Sequence, residues 1–477
     1  MESEAKLITV RQRVRWLPAD MDTPISLFLG MAKGCGILLE SAEVDGRWGR
    51  YSVLACDMAL TLACRGGRLE CSAEDERFSS LVELSGRPFV EGLREVMRRI
   101  ELLPDPEAAE LPPITRSLLG WLGYGMAGLF EPELASVLPS EEAEGMLCLP
   151  GTLMLFDHLY NRLAQVSLGE HRPVTGAHAA MDEDLRSGCT YADAAESSQS
   201  EQGYQGIVRR IKEKLKAGEA IQAVPSVRFS MPFCGDALTL YRRMRSASPS
   251  PYMFFMRLPD ITLFGSSPEA MVQCSGDRLL IAPIAGSRRR GRSVSEDEAL
   301  AAELLADPHE RAEHMMLVDL GRSDLGRIAA PGSVEVESLM AVERFSHVIH
   351  LTSRITARLC EGRDAVDVLA SAFPAGAVSG VPRRRAVELT ADLEQEPRGP
   401  YAGCIGWIGL DRGRVHLDTG IAVRTLWVRE GRLFWQAGSA VAHDTEASSS
   451  WKEICRKSAV MRQSCFESGV QYVPAHR

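Results

Sequence analysis

The chain has 477 residues and a formal net charge of −10, with 45% hydrophobic and 25% charged residues. This composition is that of an ordinary soluble globular protein, and the length suffices for one large or two ordinary domains. The acidic balance argues against nonspecific nucleic-acid binding, and we expect neither a signal peptide nor the ~18 consecutive apolar residues of a membrane-spanning helix.

The twelve cysteines are scattered, without a C-x-x-C pair or a Cys/His zinc spacing. Thiols distributed in this way through a large chain are typical of a reducing compartment. We therefore predict a cytoplasmic protein whose thiols are free or buried.

Short apolar runs predict strands in the first third of the chain. Residues 34–72 alternate such runs with glycine-containing turns, which is typical of a strand meander. The spacing at 88–102 predicts a helix, and the runs at 118–124 and 151–156 predict further strands.

A change of composition divides the chain. Residues 182–203 are rich in serine, alanine and acidic residues and contain almost no large apolar ones. This composition predicts a linker between an N-terminal region, 1–181, and a larger C-terminal core, 204–470.

The core is predicted to contain strands in runs and helices in blocks, which is the pattern of an α+β fold rather than a doubly wound sheet. Residues 204–217 have the apolar spacing of a helix, and 221–229 is predicted to be a strand. The further predicted strands are 253–258, 261–265, 269–274 and 278–282, and the further predicted helices are 295–306, 309–320, 364–370, 382–394 and 450–464.

A spaced series of motifs runs through this core. In chain order they are 249–255 (PSPYMFF), 265–269 (GSSPE), 283–291 (PIAGSRRRG), 312–314 (AEH), 345–350 (FSHVIH), 373–376 (FPAG), 401–409 (YAGCIGWIG), 423–425 (VRT) and 436–438 (QAG), followed by Glu453 and Lys457. The N-terminal region adds 38–41 (LLES) and 49–52 (GRYS). This set resembles the chorismate-utilising enzymes and, among them, most resembles component I of anthranilate synthases. The resemblance implies layered antiparallel β-sheets with helices packed outside and a site for a small dianion between them.

Two glutamates are implied to bind magnesium. Glu313 and Glu453, each in a predicted helix, match the family's two Mg²⁺-ligand positions. Mg²⁺ is usually held by one or two carboxylates, with water and substrate oxygens completing its shell. Without the motif series, both residues would be taken as surface acids, with Glu453 pairing with Lys457 at i,i+4.

A zinc site at His309 and His314 is the competing interpretation. The zinc-protease motif places its histidines four residues apart on one helical face. Here they are five apart, so their side chains diverge by roughly 140° around a helix of ~3.6 residues per turn. This spacing argues against zinc.

Two absent lysines indicate which nucleophile the site uses. Family members that add water carry a lysine base where this chain has Gln222, and those that make aminodeoxychorismate carry a lysine nucleophile where it has Ala285. Water benefits from a positioned base, which glutamine cannot provide. Ammonia needs neither lysine, so we predict direct amination at ring C2.

The resemblance also implies the remaining roles. Glu269 matches the acid that protonates the departing ring hydroxyl, and His350 matches the histidine that assists pyruvate loss. Taken alone, Glu269 is a turn residue, His350 a core histidine on a helix, and Arg424 a strand residue suited to a structural ion pair. The implied substrate-binding residues are Gly286, Ser287, Tyr401, Arg424, Gly438, Ser439, Ala440 and Lys457.

Regulation and a partner are implied as well. The positions that match the family's tryptophan-inhibition site are Leu39, Ser41, Pro251, Tyr252 and Met253. Glutaminase chemistry needs a cysteine on a strand-to-helix elbow, and the nearest candidate, Cys35, leads into a predicted strand. We therefore expect a separate glutamine amidotransferase subunit to supply ammonia, and chorismate and L-tryptophan as the small-molecule ligands.

Some positions depart from the family pattern. Ala377 stands where a threonine is usual, and Ala440 occupies a position that is usually glycine. If position 440 required φ > 0, alanine would cost roughly 1 kcal/mol. One alternative is therefore a weakened paralogue that binds ligand as a regulatory module. The other is a 2-amino-2-deoxyisochorismate synthase, which retains the enolpyruvyl group, because both enzymes begin with the same amination. The arginine runs 288–292 and 383–385 are predicted to be solvated surface or loop rather than binding patches, although the first follows a glycine-containing loop that could hold an anion.

Overall fold

The computed structural model describes residues 7–42, 49–108, 110–177, 195–344, 348–394 and 396–466. Its first strands are β1 Ile8–Arg11, β2 Arg13–Pro18, β3 Gly36–Glu40, β4 Tyr51–Arg65, β5 Arg68–Ala73, β6 Ile100–Leu103, β7 Ser117–Leu122, β8 Glu144–Asp157, β9 Arg162–Ser167, β10 Glu196–Ser197, β11 Gln222–Ala223 and β12 Ser226–Pro232. The others are β13 Tyr252–Arg257, β14 Thr262–Ser267, β15 Ala270–Gly276, β16 Arg278–Ile281, β17 Ile284–Arg289, β18 Glu335–Arg344, β19 Val348–Arg358, β20 Gly380–Val381, β21 Cys404–Gly409, β22 Val415–Ile421, β23 Thr425–Arg429 and β24 Arg432–Gly438.

The α-helices are α1 Pro24–Met31, α2 Phe89–Arg99, α3 Ala127–Phe130, α4 Glu201–Lys216, α5 Ala237–Ala247, α6 Val294–Ala306, α7 Pro308–Gly326, α8 Ala365–Ala372, α9 Gly376–Ser379, α10 Arg383–Ala391 and α11 Ala447–Phe466. The 3₁₀ turns are Glu76–Leu84, Pro106–Ala108, Pro113–Arg116, Tyr124–Met126, Pro132–Leu134 and Ser140–Glu142.

Two long antiparallel strands, β4 and β8, organise the sheet. They pair from Tyr51 with Asp157 to Arg65 with Glu144, and a register shift after Met58 divides the pairing into two halves. One half continues through β3 to β13, β14, β23, β24 and β12. The other half continues through β7 to β21, β22, β15, β16 and β19. The result is two antiparallel layers that share β4 and β8.

Side-chain alternation explains how the layers pack. Along β13, Phe254 joins the core cluster that also contains Val272 and Ile405 of the other layer. The next residue, Phe255, belongs to the cluster that contains Ile207 of α4 and other helical residues. Because successive strand residues face opposite sides, one face of this layer packs against the second layer and the other face packs against helices. The predicted α+β fold, with layered antiparallel sheets and outer helices, is confirmed.

Most elements predicted from periodicity are present, and two differ. The helix predicted at 88–102 ends at Arg99, because Ile100 and Leu102 are buried alternately in β6, which pairs in parallel with β1. The strand predicted at 221–229 is two strands, β11 and β12, which pair with β20 and β24 respectively. Residues 182–194 of the predicted linker lie outside the described residues.

In the part of the chain that the structure describes, no helix combines the length and apolarity needed to cross a bilayer. The described cysteines are unpaired, and most of them are buried.

Candidate active site

Glu269 and Arg424 lie where adjacent strands pass from one layer to the other. Glu269 separates β14 from β15, and Arg424 separates β22 from β23. The backbone N–H of Ile421 donates to the Glu269 carbonyl oxygen at 3.0 Å, and that of Ser266 donates to the Arg424 carbonyl oxygen at 3.2 Å. Arg424 has φ 48°, which is left-handed rather than extended. The prediction of a strand at Arg424 is therefore wrong, and the turn keeps this guanidinium at the crossover.

The Glu269 carboxyl group is set up to carry a proton near neutral pH. The residue retains some solvent exposure, but protein surrounds its carboxyl group closely enough that burial raises its pKa to about 8, and a hydrogen bond from the Ile284 backbone offsets only part of this. Burial disfavours the charged form of a carboxyl group. Glu269 can therefore act as a proton donor at pH 7.

His350 lies on β19, so the prediction that it lies on a helix is wrong; residues 345–347 of its motif are outside the described residues. Its Nδ1 is 2.9 Å from the Gly286 carbonyl oxygen and 3.0 Å from Ser287 Oγ. A carbonyl oxygen only accepts, so Nδ1 carries the proton and Nε2 is the basic nitrogen. Burial lowers the pKa of His350, and nearby Arg424 lowers it further, so the imidazole is neutral at pH 7.

A bulge in β17 presents Gly286 and Ser287 to His350. The pairing of β17 with β19 shifts between Ala285 and Ser287, and Ser287 pairs with His350. Gly286 has φ +74°, and a Cβ at this position would lie 3.1 Å from Glu310 Oε2. The left-handed conformation favours glycine at this position, and a Cβ would in addition crowd the Glu310 side chain.

A second group forms at the end of β24. Lys457 Nζ is 2.9 Å from the Gly438 carbonyl oxygen and 2.7 Å from Glu453 Oε1. Ser439 Oγ donates to Glu453 Oε2 at 2.7 Å. A Cβ at Gly438 would lie 2.6 Å from the Tyr401 hydroxyl oxygen. The structure thus brings together five of the implied site residues.

Glu313 and Glu453 line one cavity of about 1200 Å³. Burial raises the pKa of Glu313, and the charges of Glu310 and Glu453 add to this effect. Burial also acts to raise the pKa of Glu453, but Lys457 and Ser439 outweigh it and hold that pKa below its ordinary value. The two carboxylates therefore lie within electrostatic range of each other although α7 and α11 are distant in the sequence.

This pair fits the requirements of magnesium. Among the described residues, no group of three or more His, Cys, Asp and Glu side chains could enclose a metal ion. Two hard carboxylates beside open space suit Mg²⁺, which keeps several water or substrate oxygens. The histidines of the zinc alternative diverge: His309 is exposed, whereas His314 is buried with Nε2 2.6 Å from Ser353 Oγ.

Comparison with known proteins identifies the family. Residues 70–463 match the family described as chorismate binding enzyme. The chain belongs to this family. It is 34% identical to anthranilate synthase component 1 of Geobacillus stearothermophilus over 93% of this chain and 91% of the relative. It is 35% identical to the component 1 of Arthrobacter globiformis over 98% and 92%.

Solved structures of chorismate-binding enzymes share the fold. Anthranilate synthase component I from Streptococcus pneumoniae superimposes with a TM-score of 0.69 at 27% identity, covering 93% of this chain and 98% of that one. The menaquinone-specific isochorismate synthase from Escherichia coli superimposes with a TM-score of 0.68 at 18% identity, covering 97% and 96%. The second likeness concerns the fold alone.

Family positions that differ in this chain lie close to the cavity. Gln222 and Ala440 line it together with Glu313 and Glu453, whereas Glu269 and His350 are not part of its lining. Ala440 is not among the described non-glycine residues with positive φ. The strain considered for alanine at this position is therefore absent. Ala377 lies in α9, half-buried.

The segments of the implied inhibitor site are adjacent. In the antiparallel pairing of β3 with β13, Leu39 lies opposite Phe254, and the Ala42 N–H donates to the Ser250 carbonyl oxygen at 3.1 Å. Residues 39–41 therefore run beside 251–253. The Tyr252 hydroxyl donates to Asp418 Oδ1 at 2.7 Å, which anchors the start of β13 to β22.

Sequence reasoning missed a buried ion pair behind the cavity wall. Arg398 pairs with Glu394 at 2.8 Å, and it donates to the carbonyl oxygens of Val224 at 2.7 Å and Val378 at 2.9 Å. Its guanidinium also lies 5.9 Å from the Tyr401 ring centroid. The only signal in the sequence is the i,i+4 spacing of Glu394 and Arg398, which is also typical of exposed pairs.

The prediction that the arginine runs are solvated surface is wrong for two of their members. Arg383 is buried and pairs with Asp324 while donating to the Ser371 carbonyl oxygen at 2.9 Å. Arg288 is 20% exposed and contacts three carboxylates. Charge runs are usually solvated, and only tertiary contacts distinguish these arginines from surface ones.

Proposed function

We propose that this chain is component I of an anthranilate synthase, which converts chorismate and ammonia to anthranilate and pyruvate. One observation carries the proposal within the family. Gln222 lines the cavity that holds Glu313 and Glu453, and glutamine cannot act as the base that a water nucleophile needs. Ala285, beside the Gly286 bulge, likewise offers no amine for covalent attack. Ammonia is the nucleophile that this site can use.

The protonation states of two residues support the proposed chemistry. Glu269, protonated at pH 7, would donate a proton to the ring hydroxyl as it leaves as water. Ammonia would form the new bond at ring C2. The added ammonium group would lose a proton to solvent. Neutral His350 would then accept the ring C2 proton through Nε2 as the bond between the ring and the enolpyruvyl oxygen breaks and the ring becomes aromatic. The released enolpyruvate would take up a proton on its methylene carbon to become pyruvate. The raised pKa of Glu269 suits a proton donor, and the lowered pKa of His350 suits a proton acceptor.

We propose that Mg²⁺ binds Glu313 and Glu453. When bound, a divalent ion would neutralise a substrate carboxylate and orient the ring. The chain's own residues would hold the remaining anionic oxygens: Arg424 suits a carboxylate because its guanidinium can bind two oxygens at once. Lys457 and the backbone at Gly286 and Gly438 supply further positive or N–H groups.

We further propose that a glutamine amidotransferase subunit supplies the ammonia. The relatives are named as component 1, which implies a second component. Cys35 precedes β3 rather than a helix, and burial raises the pKa of its thiol. A nucleophilic thiol needs the opposite shift, so this chain is not expected to hydrolyse glutamine.

Feedback inhibition by tryptophan is proposed for the site formed by residues 39–41 and 251–253. The apolar Leu39 side chain and the Ser41 hydroxyl would suit an indole and an amino-acid head group. Met253 packs in the helix-facing cluster on the other side of the sheet, so it would contribute its backbone. In this proposal, residues 1–181 form the regulatory part of a cytoplasmic enzyme of tryptophan biosynthesis and 204–470 its chorismate-binding core.

Mass spectrometry of the reaction tests the function. The purified chain, chorismate, Mg²⁺ and ammonium should yield anthranilate and pyruvate, whereas glutamine should replace ammonium only after an amidotransferase subunit is added. Accumulation of 2-amino-2-deoxyisochorismate would assign the chain to the enzymes that retain the enolpyruvyl group. Tight chorismate binding without turnover would instead indicate a regulatory module.

A further inference from the structure

Arg288 joins three carboxylates at the junction of α6 and α7. Its Nε donates to Glu303 Oε1 at 2.9 Å, its Nη2 to Asp307 Oδ2 at 2.8 Å, and its Nη1 to Glu310 Oε1 at 3.0 Å. Nη1 also donates to the Ser287 carbonyl oxygen at 3.0 Å. All three guanidinium nitrogens are thus engaged, in a fork geometry that only arginine provides.

These contacts connect a strand to a helix. Ser287 and Arg288 belong to β17, and Asp307 caps the N-terminus of α7 by accepting from the His309 N–H at 2.9 Å. The implied metal ligand Glu313 lies one turn into the same helix, three residues after Glu310. One side chain therefore ties the strand of Gly286 and Ser287 to the helix of Glu313.

Glu310 lies between the two implied binding groups. Its Oε2 is 3.1 Å from the point where a Cβ of Gly286 would lie, and it precedes Glu313 by three residues on α7, so the two carboxylates are neighbours on one side of that helix. Its other oxygen, Oε1, accepts from Arg288. A carboxylate in this place would repel a dianionic substrate unless a cation neutralised it.

We propose that Arg288 is a positioning residue for chorismate binding, an inference that rests on the proposed function. Arg288 holds the Gly286–Ser287 backbone in register with α7, and it offsets the charge of Glu310 beside the substrate's oxygens. It does not contact the substrate. Its loss would weaken substrate binding through misplacement and repulsion, with less effect on the chemical step.

Calorimetric titration with chorismate tests this role. Ammonium is omitted so that no turnover occurs, and the titration is run both in the presence and in the absence of Mg²⁺. Arg288→Gln should raise the Kd for chorismate about tenfold, the loss expected from removing one charge-assisted contact. Arg289→Gln is the matched control, because Arg289 lies in the same run but pairs with Glu296 on α6. Its Kd should equal that of the unaltered protein.

A double variant separates charge from scaffolding. Glu310→Gln removes the charge that Arg288 offsets. The Kd for chorismate should therefore be about threefold lower in Arg288→Gln/Glu310→Gln than in Arg288→Gln alone, a coupling that independent structural damage would not produce. Thermal unfolding of each variant reports folding separately. If Arg288→Gln does not fold, Arg288→Lys should raise the Kd about threefold, since an ammonium keeps the charge without the fork.

The outcomes are distinct. Equal Kd values for Arg288→Gln and Arg289→Gln, absence of recovery in the double variant, or an unchanged Kd in Arg288→Lys would overturn the role of Arg288 while leaving chorismate amination intact. Absence of chorismate binding and turnover in the unaltered protein would overturn the proposed function, and this inference with it.

Discussion

His350 Nδ1 donates its hydrogen to the Gly286 carbonyl oxygen at 2.9 Å. This bond fixes both the tautomer and the orientation of the imidazole. It also links the proposed base to Gly286 at the bulge of β17. A histidine held in this way keeps Nε2 basic, whereas free rotation or the other tautomer would remove that property. The predictions below follow from this site.

The activity should have a bell-shaped pH dependence. Glu269 must be protonated, so the rate falls as pH rises through its pKa of about 8. His350 must be neutral, and its pKa is lowered, so the rate falls only below the ordinary histidine range. Initial rates should be measured at constant free ammonia. In Glu269→Gln, kcat should drop about 10²–10⁴-fold and the alkaline decline should disappear; its persistence would contradict the assignment.

Glu453→Gln should weaken the affinity for magnesium. Removing one of two carboxylates lowers the charge available to a hard cation, so half-maximal activity should require about tenfold more Mg²⁺, a change of about 1.4 kcal/mol. Magnesium titration of the rate measures this, and calorimetry checks binding directly. Glu446→Gln is the control, because Glu446 lines the same cavity but is exposed. Equal shifts in both variants would reject the metal site.

Gln222→Lys should introduce a water-derived product. An amine on this cavity wall could act as the base that water requires, so isochorismate should form when ammonium is omitted. Chromatography is needed for detection, since the product and chorismate are isomers. Gln222→Met, of similar length without an amine, should give none. Normal chorismate binding by Gln222→Lys without any new product would contradict the role given to position 222.

Ser41→Ala should reduce tryptophan inhibition without affecting catalysis. Loss of one hydroxyl hydrogen bond, about 0.5–1.5 kcal/mol, should raise the tryptophan Kd about two- to tenfold. The chorismate KM without tryptophan serves as the internal control. Because coupling between sites is reciprocal, tryptophan should raise the Kd for chorismate by the same factor as chorismate raises that for tryptophan. Unequal factors would mean that the two ligands do not bind in one coupled equilibrium.

Gly286→Ala should destabilise the fold and the site together. The φ of +74° and the crowding by Glu310 should cost about 1–2 kcal/mol in the free energy of unfolding, measured by denaturant titration. Gly206→Ala provides the opposite control. Gly206 lies inside α4 with open space around it, so alanine there should stabilise by about 0.5–1 kcal/mol.

The sequence predicts secondary structure correctly where the local spacing of apolar residues is sufficient to define the element. The strands around Phe254 and the helix α4 follow from alternation and helical spacing, and the motif order indicated the α+β class. His350 and Arg424 were assigned to the wrong elements, because β19 and the left-handed turn depend on pairing with distant strands. No local pattern encodes such partners.

The site shows the same limit. The motifs matched Glu313 and Glu453 by position, yet only the fold brings α7 and α11 to one cavity. A run of like charges predicts solvated side chains, and it carries no information about the carboxylates of α6 and α7 that Arg288 contacts. The sequence does not reveal the role of Arg398, because a buried and an exposed i,i+4 ion pair have the same residue types at the same spacing.

The backbone of residues 222–224 is held by hydrogen bonds that do not involve the Gln222 side chain. Ala223 exchanges hydrogen bonds with Val441, at 3.1 and 2.8 Å, and the Val224 carbonyl oxygen accepts from Arg398. The side chain at 222 can therefore be exchanged without rebuilding the wall that carries it. A lineage could switch the attacking molecule by substitution at such a position while inheriting its architecture unchanged.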